Sequence, residues 1–387
     1  MHIETITQTE QFKNLKDQWN SLLNESPANS VYLTWEWLFT WWEVYGDSKR
    51  TLNIISLKDD NGRLIAIAPL IVTVKQFGPL LKRRVLEFLG SGEHEKDEVC
   101  SNYLDFIVAN DADNVYPKLK EELLKGINDG RWDEFFLTSV PVESKSNVNL
   151  HITSSSQLNA SDQNNTTTPC AIIALPETWE LYLSTLNKHW RHQIKKGRAE
   201  LIAKGNVECL DITDPNEIQK AFDDLIHLHQ NRWVEAGQPG AFSSTKFNNF
   251  HKKTLERFSI NHWVGIHLLK LNGHVLAATH RFKYQQTVYS YQTGYDTTIP
   301  TKVGFGLLER SFDIEESIRQ GYRFYDFYKA KAGSYKWHFA KDKREVRDIR
   351  ITKKDAIYHF ERGKNTLRGL KRTIQMIFKK DSSPLKV

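Results

Sequence analysis

The sequence predicts an α/β (α+β) fold made of two similar units, each a mixed sheet flanked by helices. Three observations predict it. A β-hairpin signal occurs twice: residues 52–57 run through Asp60-Asn61-Gly62 into 64–72, and about 210 residues later 262–269 run through Asn272-Gly273 into 275–282. Asn-Gly tolerates positive φ at both central positions, so each pair predicts a tight type I′ turn. Each hairpin is then followed by strand, helix and strand: 103–108, 115–128 and 132–136 in the first half, 288–292, 306–320 and 324–328 in the second. Finally, Ser, Asn and Thr crowd the stretch between the halves, which is the composition of a linker.

These observations divide the chain into residues 1–142, a polar linker at 143–169, a second unit at 170–354 and a basic tail at 355–387. Within the first unit, Phe12, Leu15, Trp19 and Leu22 recur at spacings of three and four and predict a helix. Trp35, Leu38, Trp41, Trp42 and Tyr45 predict another. Five of the eleven tryptophans precede residue 43, which points to an aromatic core between packed helices; rings lining a ligand groove are the alternative. The tail predicts a basic helix with Leu367, Leu370, Ile374, Ile377 and Phe378 on its apolar side. Such a helix packs on its own domain or rests on an anionic membrane surface.

A chain of 387 residues exceeds one ordinary core and fits two domains. With 40% hydrophobic residues and a mean hydropathy of −0.54 it reads as a soluble globular protein. No apolar run approaches the roughly 20 residues that span a bilayer, and residues 1–10 lack the pattern of a signal peptide. Cys100, Cys170 and Cys209 are odd in number and show no metal-ligand spacing, as expected of a reduced, cytoplasmic compartment. The glycosylation-like strings at Asn159 and at Asn164 and Asn165 then read as chance. A net charge of +6 and a pI near 8.9 suit an anionic ligand such as a nucleotide or lipid phosphate, without requiring nucleic acid.

The chemistry is expected between Gly294 and Leu307, at the junction of a strand and an amphipathic helix whose Leu307, Ser311, Ile314 and Ile318 share a face. Gly304 and Gly306 let backbone N–H groups approach a ligand, the helix start is partially positive, and Lys302 adds a cation; together these suit a pyrophosphate. A plain tight turn is the alternative. The corresponding loop of the first half, residues 110–114, holds Asp111 and Asp113 and no glycine, so it would repel phosphate. The second half is therefore expected to take a phosphorylated cofactor and the first half to help hold the acceptor.

The chain resembles the CelD-type acetyltransferases of cellulose and exopolysaccharide gene clusters, members of the GNAT superfamily, which are similar in turn to Fem-type aminoacyltransferases. The passages that carry the resemblance are Leu186 to Lys196, Gly294-Tyr295-Asp296 with Pro300, Tyr325-Asp326-Phe327, and Ser334 to Phe339. In the first half they are Tyr32 to Leu38 with Trp41-Trp42, and Cys100 to Asp105. The usual loop of this family begins with Gln or Arg; here Thr301 stands in that place, while Gly304 and Gly306 fit.

The resemblance implies tandem GNAT-like domains, the first degenerate, and transfer of an acyl group from acetyl-CoA or another acyl-CoA to an amine, with no metal. The implied acceptor is a small-molecule amine such as an amino sugar or sugar nucleotide of envelope polysaccharide synthesis, with no nucleic acid partner. Gln292, Thr293, Gly294, Lys302, Val303, Gly304, Phe305 and Gly306 are the expected cofactor residues, with backbone N–H groups over 292–295 as oxyanion donors. Asp326 would take or relay the amine proton, Tyr335 would protonate the leaving thiolate, and Lys336 would fix substrate or neutralise charge. Each has a structural alternative: an ion pair for Asp326 and Lys336, core packing for Tyr335. His280 reads first as a buried structural histidine. The acidic run 93–98 and the basic run 188–198 read as solvated surface unless they border the site. Competing functions are a Fem-like aminoacyltransferase and a catalytically inactive tandem-GNAT scaffold.

Overall fold

A computed structural model describes residues 1–77, 81–152, 154–160, 166–298, 304–360 and 362–363. The expected Lys302 and Val303, with Thr301, lie outside these residues, as does most of the 355–387 tail.

The first half runs β1 (His2–Ile6), α1 (Thr9–Asn14), α2 (Lys16–Glu25), α3 (Trp35–Tyr45), β2 (Arg50–Leu52), β3 (Ile54–Lys58), β4 (Leu64–Ala68), β5 (Leu70–Phe77), β6 (Leu81–Phe88), β7 (Ile107–Val108), α4 (Val115–Asn128) and β8 (Glu134–Pro141). The segment read as a linker contains α5 (Lys145–Asn149) and β9 (Leu158–Ala160). The second half runs β10 (Thr167–Ala174), α6 (Trp179–Thr185), α7 (Lys188–Ile202), β11 (Val207–Ile212), α8 (Ile218–Glu235), α9 (Thr245–Ile260), β12 (Val264–Leu271), β13 (His274–Tyr284), β14 (Thr287–Tyr295), α10 (Phe305–Arg319), β15 (Phe324–Lys329) and β16 (Asp342–Lys353).

Two sheets result. One has the order β1-β3-β4-β7. The other has twelve strands in the order β11-β12-β13-β14-β15-β10-β16-β8-β6-β5-β2, with β9 beside β16. Both halves therefore share one sheet, joined where β16 pairs antiparallel with β8. Each half contributes one parallel contact to it, β6 with β8 and β14 with β15, so the sheet is mixed in both, as the sequence predicts.

The two hairpins differ in detail. Asn272 and Gly273 have φ of 50° and 82° and connect Leu271 directly to its partner His274, the tight turn expected. In the Asn61-Gly62 turn of the first half only Gly62 takes positive φ. There Asp59 Oδ1 accepts from the backbone N–H groups of Asn61 and Arg63, both at 2.9 Å, which holds a longer loop. The first predicted helix breaks into α1 and α2 at Leu15, and the strand predicted over 103–108 shortens to Ile107–Val108.

The early tryptophans form a core, and it is an interface. Thr34 caps α3 by accepting from Trp37 N–H. Trp19, Trp37 and Trp41 are fully buried, and the Trp37 ring lies edge-on to Phe250 of α9 and Phe282 of β13, at 4.7 and 5.3 Å between centroids. The aromatic helix of the first half is thus packed against the second.

Candidate functional site

The site begins with a gap in the sheet. β14 and β15 pair in parallel only over Thr287–Tyr289 and Phe324–Asp326; past these positions they diverge. On its other side β14 carries a bulge. Arg281 faces Ser290 and His280 faces Gln292, which leaves Tyr291 unpaired. A bulge bends a strand and re-aims its side chains. The combination opens space on both sides of β14.

One cavity, of about 340 Å³, lies at the start of α10 and is lined by Gly304, Gly306, Arg310, Thr293, Arg232 and Tyr335, among others. Gly304 has φ of −52°, an ordinary backbone angle, and an added Cβ would meet nothing within 4 Å among the described residues. Neither strain nor crowding requires glycine there; its absent side chain leaves room at a helix N-terminus. Arg310, one turn into the helix, bonds Ser290 Oγ and Thr293 Oγ1 across the cavity floor. Arg232 stacks on Tyr295 at 4.8 Å, and Trp190 stacks on His338 at 4.0 Å beside them. Two guanidinium groups, a helix start and aromatic faces suit a phosphorylated ligand with a planar group.

A buried charge network fixes this helix. Arg281 pairs with Asp313 and Asp211, Lys283 with Asp211, and Arg310 with Glu309 and Asp313 at 3.7 Å each. Three cations thus oppose three anions, and Tyr325 adds a hydrogen bond to Asp313. His267 Nδ1 meets Glu309 Oε1 at 3.1 Å.

The second cavity, about 480 Å³, lies between the halves. The first half contributes Gly90, Gly92, Glu93, Glu98 and Cys100, and the second contributes Tyr291, Tyr328, Lys329, Lys336 and Asp348. Cys100, Ser139 and Tyr328 line it with φ of 50°, 59° and 63°. Non-glycine residues in this region cost about 1–3 kcal/mol each and gather at functional sites. The acidic run thus reaches a cleft through Glu93 and Glu98 alone. Lys336 Nζ donates to the carbonyls of Phe327 and Lys329, and burial pulls its pKa down. Lys329 Nζ donates to Ser139 Oγ at 2.7 Å.

Two pairs of sequence neighbours border the two cavities. Thr293 and Tyr335 line the first; Gln292 and Lys336 line the second.

Other expected residues take different places. Asp326 is 1% exposed and lines neither cavity. It accepts from Tyr103 O–H and from Tyr328 N–H, both at 2.6 Å, and burial raises its pKa. Gly294 sits under α8, where a Cβ would stand 2.5 Å from His229 N; its smallness serves helix packing. Phe305 turns into a core with Leu201, Leu269 and Leu276. His280 is fully buried among Phe222, Phe282 and Tyr291, its pKa pushed down to about 3 by burial, so it is neutral. None of the five early tryptophans lines either cavity. In the first half, Asp111 pairs with Arg63 and Asp113 with Lys145. Among the described residues no group of three or more His, Cys, Asp or Glu could hold a metal, and no helix is long and apolar enough to cross a membrane.

Sequence reasoning missed Arg310 and Arg232 as site residues and raised Glu93 only within an acidic run that could border the site. Arg310 had a signal, since it lies three residues after Leu307 and four before Ile314 on the amphipathic helix. Arg232 had none, because it reaches the site through tertiary contacts.

Residues 188–337 match the family of the acetyltransferase (GNAT) domain. No curated protein matches the chain by sequence. A crystal structure of FemX is similar over 90% of this chain and 97% of its own, with 10% identity and a TM-score of 0.57. The structure of L-PGS from Bacillus licheniformis is similar over 86% of this chain and 90% of its own, with 10% identity and a TM-score of 0.50. Residues 188–337 thus match a GNAT-type acetyltransferase domain, within a chain whose fold is similar over most of its length to that of FemX.

Proposed function

We propose that the protein is an acyl-CoA-dependent N-acyltransferase, with acetyl-CoA as donor and an amino sugar or related amine of envelope polysaccharide synthesis as acceptor. One observation carries the reading: an arginine-lined helix N-terminus and an acid-lined cleft open on either side of the same gap, with Tyr335 and Lys336 between them. The donor's phosphates would lie at Gly304–Gly306 with Arg232 and Arg310, its thioester would pass between β14 and β15, and the amine would wait in the cleft. Backbone N–H groups freed by the bulge at Tyr291 would meet the carbonyl oxygen. Tyr335 would protonate the leaving thiolate. Lys336, with two of its protons held by carbonyls, has one left for the acceptor or the developing charge. Asp326 would act through Tyr328, whose N–H it holds, as a positioning residue. The acceptor class rests on the CelD-type resemblance, and a cytoplasmic location on composition.

A Fem-like aminoacyl transfer would use the same gap, and the fold shared with FemX favours keeping it in view. The glycines at the start of α10 favour CoA. Titration calorimetry with acetyl-CoA and free CoA, alongside thermal melts, tests the reading. Saturable binding of both, lost in Gly306→Glu, is expected. Absence of binding to the wild-type protein refutes the CoA assignment and leaves aminoacyl transfer or a scaffold role.

A further inference from the structure

We infer that Glu93, a residue of the first half, takes the proton from the acceptor amine in the transfer step carried out by the second half. The inference rests on the acyltransferase reading above and names the base that reading lacks.

The geometry is built by the loop after β6. Gly90 and Gly92, with φ of 92° and 86°, turn the chain so that Glu93 faces the cleft. A side chain at Gly90 would strike Leu38 at 2.8 Å, and one at Gly92 would strike Glu87 at 2.6 Å, so the turn admits little but glycine. Glu93 Oε1 accepts from Val99 N–H at 3.2 Å, which closes the loop and fixes the carboxyl. The loop is held to α3 by Tyr45, whose O–H donates to Asp97 O at 2.8 Å, and to α9 by Ser244, whose hydroxyl donates to Asp97 Oδ1 at 2.6 Å.

The groups around this carboxyl come from several elements. Trp41 and Tyr45 face it from α3, Glu98 and Cys100 from its own loop, and Tyr291 from the bulge of β14, with Asp97 beside Tyr45. Lys329 and Lys336 line the same cavity. Burial raises the Glu93 carboxyl to about 7, with Glu98 adding to the rise, while the Trp41 and Val99 N–H groups pull the other way. A carboxylate poised there suits a general base at neutral pH. Asp326 is not an alternative, since it lies outside the cavity with both oxygens engaged.

The step balances. Glu93 carboxylate removes one proton from the acceptor's ammonium, which frees the nitrogen lone pair. The nitrogen attacks the thioester carbonyl carbon, and the C–S bond breaks. The nitrogen gives up its second excess proton as the thiolate gains one, so the products are amide and free thiol. Glu93 then releases its proton to solvent.

The test uses the full chain with acetyl-CoA and a panel of primary amines, glucosamine and lysine among them, following free thiol. Glu93 must be ionised to act, so wild-type kcat/KM should fall as pH drops through about 7. Glu93→Gln is expected to lower kcat by about 100- to 10,000-fold, to remove that acid limb, and to leave acetyl-CoA affinity and near-UV circular dichroism unchanged. Glu93→Asp should restore part of the rate and the limb. Glu95→Gln, on the same loop but in solvent, should behave as wild type. A Glu93→Gln protein that keeps the limb, or turns over within a few-fold of wild type, overturns the inference and leaves the acyltransferase reading standing. No thiol release by the wild type with any amine overturns that reading and the role of Glu93 with it.

Discussion

Replacing Gly294 by alanine tests how the sheet holds the helix that carries Arg232. Gly294 lies in β14 opposite Ala278, and α8 crosses directly over it. A Cβ at this position would stand 2.5 Å from His229 N, 2.8 Å from Leu225 O and 2.8 Å from Leu228 Cβ. The first two are backbone atoms of α8 and cannot rotate away, so the whole helix must lift. It would draw Ala221, Phe222 and Leu225 with it, all of them buried. Overpacking costs about 1–3 kcal/mol, and a rigid backbone neighbour puts this change near the upper end, about 3 kcal/mol. At about 2–4 °C per kcal/mol for a domain of this size, the melting temperature should fall by about 6–12 °C. Gly304→Ala is the same chemical change ten residues on, and there a Cβ meets nothing within 4 Å among the described residues. Its melt should match wild type while its methyl occupies donor space and weakens acetyl-CoA binding. Scanning calorimetry and titration calorimetry on the two variants separate the effects. A Gly294→Ala protein melting within about 1 °C of wild type would refute the packing argument.

Tyr335 is half exposed, so Tyr335→Phe should leave the melt unchanged and lower kcat by about 100-fold or more if its hydroxyl serves the thiolate; an unchanged kcat in a thiol-release assay removes it from the mechanism. Arg281→Met leaves Asp313 and part of Asp211 uncompensated in the core, so it should cost about 3–5 kcal/mol, read as a lowered denaturation midpoint; a midpoint equal to wild type would mean the network contributes nothing to holding α10.

The elements were legible where local chemistry decides them. The helix at Val115–Asn128 falls where its period placed it, and the Asn272-Gly273 turn follows from the two residues themselves. The order of hairpin, strand, helix and strand was legible in the second half for the same reason; in the first half the two expected hairpin strands each break between the two sheets, and β5 and β6 add a hairpin that the sequence reading lacks. The sheet joining the halves was not legible. β16 must find β8 some 200 residues away, and nothing in either strand names its partner. The charged residues of β13 and α10 gave no sign of their place. Arg281, Glu309 and Asp313 look solvent-facing by composition, yet each is fully buried because its partner is buried beside it. Of the candidate site, the glycines at the start of α10 stood out because they border a strand–helix junction, while Tyr335 and Lys336 entered only through the CelD-type resemblance. Asp326, expected through the resemblance to take or relay the amine proton, lies behind the cavity walls, and no local pattern distinguishes a wall from the layer behind it. Gly294 was read for its freedom of approach, when what approaches it is α8.

The shared sheet has a mechanical consequence. Proteins that bind between two lobes often close on their ligand by swinging about a linker. Here the lobes grow from one continuous ladder of backbone hydrogen bonds, with β10, β16 and β8 running side by side through the junction, and α3 wedged against α9 behind it. Swinging one lobe would tear that ladder. The jaws of the cleft are therefore set at a fixed gauge, and on the reading proposed above an acceptor would be selected by calibre, as by a sieve, with any adjustment left to the loops at the rim.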